Sequence, residues 1–426
     1  MIIAKPFSGS WLTWTAAGSV FLFPGLVATV DHAGSLLLVL LLLVGFAGCK
    51  GGWRDLGFWE KAMLLGMLTF FAVCALSLAN ADDLKNAFSR LEKVARILAF
   101  IPIYLSLRQL NVSLVRPFFW GCLLAGPWML TVSLYQAVIE TAPRSAGAYH
   151  PIVFGDQAVL IAGVLGASLC FSPRSRMFWV LTLLSLGSAL VASGLSGSRG
   201  GWLALPFLVA LYLWLFRSSL ARLVRVLILA VFFVMAAGVM VSHNPVRERI
   251  SHAYEDIVNY REGDKVNTSL GSRFLLWDLA IDIWNEHPLL GTGLGDYSHD
   301  IDQIIDAGET RLNTVWPHAH SIYFELLATT GLVGLLALVG GLFVVPSVVY
   351  FRKMKTVNMG SVTFPVAAGL GCLLSFAVFG LSEAWTARSP LLTSYVVCLL
   401  VFSSGMYAGP DMSNHVFDSE PMKEPA

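Results

Sequence analysis

Apolar runs about 20 residues long recur along nearly the whole chain, and that feature fixes the class of fold before any single residue is considered. A helix that crosses the hydrocarbon core of a bilayer needs about 20 mainly apolar residues. Segments of about that length fall at 11–30, 35–49, 62–80, 94–110, 117–139, 152–171, 177–194, 201–216, 223–242, 322–350, 363–381 and 389–408, which makes about twelve. Composition agrees: hydrophobic residues make up 56% of the chain and charged residues only 13%, too little polar surface for a soluble protein of 426 residues. The expected fold class is an all-α polytopic membrane protein. The first apolar run lacks a small-residue cleavage site and reads as a retained span.

Lysine and arginine orient these spans. Loops after even-numbered spans hold thirteen basic residues, and the short loops of the opposite set hold seven. The first set is therefore expected in the cytoplasm, with both termini. The segment 81–96 on the other side offsets its basic residues with Asp82, Asp83 and Glu92. Its spacing of Leu84, Ala87, Phe88, Leu91 and Ala95 predicts an amphipathic helix on the outer membrane surface. The expected organisation is spans one to nine in 1–242, a long outer loop in 243–319, spans ten to twelve in 320–408, and a tail in 409–426. Within the loop, Phe274, Trp277, Ile281 and Trp284 predict an amphipathic helix over 273–286. His287-Pro288 ends it, and Gly291-Thr-Gly-Leu-Gly295 reads as a flexible turn.

Several function classes drop out. A net charge of +1 gives no case for nucleic-acid binding. No phosphate-binding or dinucleotide-binding glycine motif is present, so nucleotide use finds no support. The six cysteines lie in or beside apolar stretches without a C-x-x-C pair, which argues against a disulfide framework or zinc site. The acids of Asp296-Tyr-Ser-His-Asp300-Ile-Asp302 lack the glycine and terminal glutamate of a calcium loop and read as a solvated acidic loop.

Three residues carry the chemistry. Arg199 lies in Ser193-Gly-Leu-Ser-Gly-Ser-Arg-Gly-Gly-Trp202, at a membrane boundary where a cation is costly without an anionic partner or water. Its small neighbours would let a large anionic ligand approach the backbone. Arg273 opens the loop helix, and its planar fork suits phosphate. His320 stands where the loop re-enters the membrane. There a helix start and nearby arginines favour the neutral imidazole that a general base requires. By the expected topology all three face one side. The bland readings are a snorkelling arginine, a solvated helix charge, and an interfacial histidine bonded to a carbonyl. His318 reads as a wet loop residue or a substrate contact, and Arg388, in the last outer loop, as a possible further anion ligand. An anabolic enzyme acting outside the cytoplasm lacks nucleotides, and a membrane-borne lipid pyrophosphate is the activated substrate that fits.

From Arg273 to Gly334 the chain resembles the bacterial O-antigen ligase (WaaL) family, within the O-antigen ligase/polymerase superfamily. The pieces that carry the resemblance are Ser272-Arg-Phe-Leu-Leu-Trp277, Pro288-Leu-Leu-Gly-Thr-Gly293, and His320-Ser321 followed by nine residues and Gly331-Leu-Val-Gly334. The resemblance implies a GT-C-type glycosyltransferase with one long helical periplasmic loop. It implies transfer of O-antigen from undecaprenyl pyrophosphate to a sugar hydroxyl of lipid A–core, at the periplasmic face of a Gram-negative inner membrane. The partners it implies are those two lipid-linked glycans and the surrounding membrane lipids, with no cofactor, metal or nucleotide. The essential arginines of the family map onto Arg199 and Arg273 and its histidine onto His320; His318 and Arg388 are the expected additional substrate contacts. An O-antigen polymerase and a non-enzymatic transporter of lipid-linked glycan are the alternatives.

Overall fold

The computed structural model describes residues 10–49, 51–171, 176–217, 271–312, 314–356 and 362–407. The expected ninth span (223–242), the first part of the long loop (243–270) and the tail (409–426) lie outside the described residues. Elsewhere the chain is helical, with no strand among the described residues. In hydrocarbon every backbone N–H and C=O must be paired within its own segment, and helices do this without partners.

The first half runs through α1 (Trp11–Leu26), α2 (Ala33–Gly48), α3 (Phe58–Ser77), α4 (Leu84–Ala95), α5 (Phe100–Leu110), α6 (Val115–Val138), α7 (Pro151–Leu169) and α8 (Arg176–Ser196). A short turn α9 (Arg199–Trp202) leads to α10 (Ala204–Leu215). After the undescribed stretch come α11 (Gly271–Glu286), α12 (Tyr297–Asp306), α13 (Ile322–Ala337) and α14 (Val345–Thr356), then α15 (Phe364–Phe379) and α16 (Ser389–Tyr407). Among the described residues, six helical stretches are long and apolar enough to cross a membrane: Phe58–Asn80, Val115–Val138, Pro151–Leu169, Arg176–Ser196, Ile322–Met354 and Ser389–Tyr407. Three shorter apolar stretches, Ala33–Gly48, Arg199–Leu215 and Phe364–Phe379, accompany them. The protein is a multi-pass membrane protein.

Burial separates inner from outer helices. The apolar stretches of α7 and α16 are 89% and 94% buried, whereas that of α8 is 28% buried and exposes Leu181, Leu183, Leu184 and Leu195. The inner helices α7, α15 and α16 pack on one another. Close approach depends on small residues where backbones meet. A Cβ on Gly66 of α3 would lie 2.9 Å from the Gly341 Cα, in the π-helical stretch Leu338–Val344 that follows α13.

α4 is the expected amphipathic helix, capped by the Asp83 carboxylate accepting from the Asn86 N–H at 3.1 Å. Its apolar residues divide, however: Ala87 is buried while Leu84 and Phe88 are exposed. α11 ends at Glu286, ahead of Pro288, but its buried face is not the predicted one. Leu276, Leu279, Ala280 and Ile283 point inward, and Ile281 is exposed. The tryptophans misled the pattern because amphipathic rings sit at the edge of a buried face as readily as within it. A second hydrophobic cluster joins α11, α12 and the start of α13 through Leu276, Tyr297, Ile301, Ala319 and Ala328.

The longest span is broken rather than straight. Gly331 takes φ 64° and ψ −167°, interrupting the ladder of α13. The backbone groups released by the break are taken up by 288–293. Thr292 and Gly293 N–H donate to the Ala328 and Thr329 carbonyls at 3.2 and 3.0 Å, and Leu332 and Val333 N–H donate to Pro288 and Leu289 carbonyls at 3.0 and 3.2 Å. Two separate motif pieces are thus one hydrogen-bonded unit. A Cβ on Gly331 would collide with the Leu289 backbone. The turn at 291–295 is not loose: Asn80 Nδ2 donates to the Gly291 carbonyl at 3.0 Å. Asp296 is not a solvated acid either. It is buried and accepts from the Asp82 and Asp83 N–H groups at 2.6 and 3.2 Å, and Asp300 accepts from the Thr292 hydroxyl at 2.7 Å.

Candidate functional site

At one end of the bundle the fold brings together the ends of α8 and α15, the start of α11 and the entry to α13. Arg199 stands on the turn after α8. Gly197 turns the chain at φ 64°, and three side chains fix the backbone around it. Arg144 Nε donates to the Ser196 carbonyl at 2.7 Å, Ser198 Oγ donates to Asp156 Oδ1 at 3.0 Å, and Trp202 Nε1 donates to Ser193 Oγ at 3.1 Å. The neighbouring glycines serve packing rather than ligand approach. A Cβ on Gly201 would lie 2.5 Å from Asp156 Oδ1, and one on Gly200 would strike the Ser382 hydroxyl.

Arg273, on the first turn of α11, is half-buried. Burial lowers its pKa most; the Glu383 carboxylate opposes that, Arg199 adds to it, and Asp156 opposes it. The two arginines are thus close enough for each charge to be felt by the other, with two buried acids between the helices around them.

His320 takes a left-handed φ of 53° immediately before Ser321, the N-cap of α13. The segment carrying it is held from both sides. Trp277 Nε1 of α11 donates to the Ala319 carbonyl at 2.9 Å, the Ala319 N–H donates to Glu325 Oε2 at 2.6 Å, and Ser321 Oγ donates to the Gly380 carbonyl at 3.0 Å. Trp277 also stacks on Phe324 with centroids 5.0 Å apart. The imidazole of His320 packs edge-on against Trp316 and His318. Its Nδ1 is buried with no hydrogen-bond partner among the described residues. Burial, then Arg273, Arg388 and His150, push its pKa down to about 4, so the ring is neutral at neutral pH. Neutrality is as expected, but burial is the leading cause, ahead of the arginines.

His318 is not a wet loop residue. It is buried, with Nε2 2.9 Å from Arg388 Nη2 and 3.6 Å from Glu383 Oε1, while the His320 N–H lies 3.3 Å from its Nδ1. Both ring nitrogens face donors, and a neutral imidazole accepts at only one. The shorter, charge-assisted contact decides: Nε2 accepts from Arg388 and Nδ1 carries the hydrogen. Burial, with His320 and Arg388 beside it, pushes this pKa to about 2. Arg388 is fixed in turn by donation from Nε to Glu383 Oε1 at 3.1 Å.

Sequence reasoning missed Glu383 and Asp156, both fully buried, each with one carboxylate oxygen unpartnered among the described residues. Asp156 did leave a signal, an ionisable residue inside an apolar span. Glu383 left only its place in a short loop five residues before Arg388. Donor atoms of His318, His320 and Glu383 lie within 4.8 Å of one another, a set that can hold a metal ion. The Arg388 guanidinium already bonds the first and last of them, so an ion there would share its space with a fixed positive charge.

A helical, multi-pass membrane protein with arginines and a neutral histidine gathered at one end of the bundle suits catalysis on an anionic, membrane-borne substrate. Residues 183–339, which include Arg199, Arg273 and His320, match the O-antigen ligase family model. The match covers less than half of the chain, and over it the chain is similar to the O-antigen ligase family. It is also 24% identical over 354 residues to an uncharacterized protein of Haemophilus influenzae (strain ATCC 51907 / DSM 11121 / KW20 / Rd), covering 80% of this chain and 86% of that one.

Proposed function

We propose that this chain is an O-antigen ligase. It transfers the polysaccharide from undecaprenyl pyrophosphate to a sugar hydroxyl of lipid A–core, at the periplasmic face of a Gram-negative inner membrane. The single observation that carries the reading is that Arg273 lies close enough to both Arg199 and His320, each distant from it in sequence, for its charge to act on the histidine and for the Arg199 charge to act on it. The reading includes a GT-C-type arrangement of about twelve spans, cytoplasmic termini, and the domain limits 1–242, 243–319, 320–408 and 409–426.

The transfer is one in-line displacement. His320 takes the proton of the acceptor hydroxyl, whose oxygen bonds to the anomeric carbon from the face opposite the leaving group. The bond from that carbon to the pyrophosphate oxygen breaks, and the lipid pyrophosphate leaves with the electron pair. The anomeric configuration inverts. Arg199 and Arg273 hold the charge that grows on the leaving oxygen, where preorganised cations contribute most. Arg388, fixed by Glu383 and His318, keeps the outer wall of the site in place and remains an additional anion contact. A pyrophosphate beside Arg273 also offsets the cation that depresses the His320 pKa, so the base strengthens as the donor arrives.

A lipopolysaccharide gel of a deletion strain tests the reading. Loss of the ladder, with intact core and accumulated lipid-linked polymer, is the expected result. Core carrying a single repeat identifies a polymerase instead, and an unchanged ladder removes the assignment.

A further inference from the structure

One group of cations beside the site has no role in the transfer mechanism. Lys93 sits in the last turn of α4, and Arg96 comes three residues later, so the two share a face. α4 packs against α3, the 385–387 turn that precedes Arg388, and the start of α16. Lys93 is half-buried and has no hydrogen bond or ion pair among the described residues. Arg96 has a buried Nη1 with no acceptor among them. The charges around Lys93 are Arg90, Arg96 and Arg388, offset only by the exposed Glu92, and with its burial they lower its pKa.

Arg90 belongs to the scaffold, since Nη2 donates to the Pro317 carbonyl at 2.7 Å and lies 4.0 Å from Glu325. Arg388 is held by Glu383 and His318. Asp83, one of the acids expected to neutralise this segment, is used elsewhere, capping the start of α4. Like charges three residues apart repel, and two half-buried cations that share one exposed carboxylate, Glu92, are left under-compensated. An arrangement of this kind is relieved by an anion from outside the chain.

We propose that Lys93 and Arg96, beside Arg388, form a second anion subsite that takes a phosphate or carboxylate group on the saccharide acceptor. The assignment to the acceptor rests on the ligase reading and on charge matching. A lipid pyrophosphate diester brings one negative charge for each of Arg199 and Arg273, which leaves Lys93 and Arg96 in surplus. α4 also carries Leu84 and Phe88, 53% and 61% exposed, which suit a helix lying against a lipid surface and meeting a lipid-anchored molecule there.

The test is a binding titration of the full-length protein in detergent, with a phosphate-bearing lipid A–core glycolipid, the same glycolipid chemically dephosphorylated, and undecaprenyl pyrophosphate as probes. Lys93→Gln should weaken binding of the phosphorylated glycolipid by roughly tenfold or more, with Lys93→Arg restoring much of it. The dephosphorylated glycolipid should bind wild type and Lys93→Gln alike. An unchanged affinity for the phosphorylated probe overturns the subsite, and loss of affinity for undecaprenyl pyrophosphate instead reassigns it to the donor and overturns the acceptor claim. A wild type that binds the glycolipid through Lys93 but transfers nothing to it would sink the ligase reading and leave the subsite standing.

Discussion

Two buried acid–arginine pairs lie at opposite ends of the helix bundle, and they are built to different ends. Away from the site, at the start of α3, Glu60 accepts from Tyr104 Oη at 2.6 Å, Arg108 Nε at 2.8 Å and the Gly57 N–H at 3.0 Å. The Arg108 guanidinium lies 4.7 Å from the Tyr407 ring centre, and Lys353 meets the same ring at 4.9 Å. Both carboxylate oxygens of Glu60 are used. At the site end, Glu383 bonds Arg388 through one oxygen, while its other oxygen, one oxygen of Asp156, Nδ1 of His320 and Nη1 of Arg96 lack partners among the described residues. A buried polar atom without a partner costs about 1–3 kcal/mol. One end has completed its hydrogen bonds for stability; the other keeps them open, as a binding site does.

Breaking the closed end should have the largest effect on folding and none on chemistry. Glu60→Ala removes one partner of a buried pair and should cost about 3–5 kcal/mol, measured as loss of folded protein on heating in detergent. Transfer per folded molecule should hold; a fall in it would erase the distinction between the two ends. At the open end the order reverses. Arg273→Lys keeps the charge and loses the fork, so transfer should fall by about ten- to a hundredfold, from the 1.5–3 kcal/mol of a charge-assisted bond, with little change in thermal stability. Wild-type rates in Arg273→Lys would mean that the fork does not hold the leaving group.

A smaller effect separates free from loaded enzyme. His320 has a depressed pKa of about 4, so it stays neutral and able to accept a proton until the pH falls towards that value. The acid limb of kcat/KM should therefore lie near pH 4. The limb of kcat should lie higher, because bound pyrophosphate offsets Arg273. Coincident limbs would show that the donor does not tune the base. Smallest of all, Trp277→Phe keeps the stack on Phe324 and loses the donor to the Ala319 carbonyl. About 1 kcal/mol of stability should go with it, read as a modest drop in melting temperature.

The sequence carried the helical class plainly, because apolar runs of bilayer length have few other solutions. It also singled out Arg199, Arg273 and His320 as candidates, since charged or titratable residues at the edges of such runs stand out. What it could not carry was pairing across distance. Asp296 looks like one acid among several until its oxygens meet the backbone of Asp82 and Asp83. Gly331 reads as one small residue of a helix until the broken ladder is closed by Pro288–Gly293. His318 looked wet because its neighbours in sequence are polar, yet Glu383 and Arg388 bury it from a loop more than sixty residues away. The stripe on α11 was misplaced because its tryptophans were weighed as buried residues. Asp156 was within reach as an acid in a span, and its meaning depended on Ser198 and Arg273 arriving beside it.

The central claim is that the open end performs base-assisted transfer from a lipid pyrophosphate. The direct measurement is single-turnover transfer by the purified full-length protein in lipid vesicles, from undecaprenyl-pyrophosphate-linked glycan to lipid A–core, with a metal chelator present. Wild type should form product of inverted anomeric configuration, and His320→Ala should do so about a hundredfold more slowly or worse. Equal rates in the two proteins, or retained configuration in the product, would contradict the account.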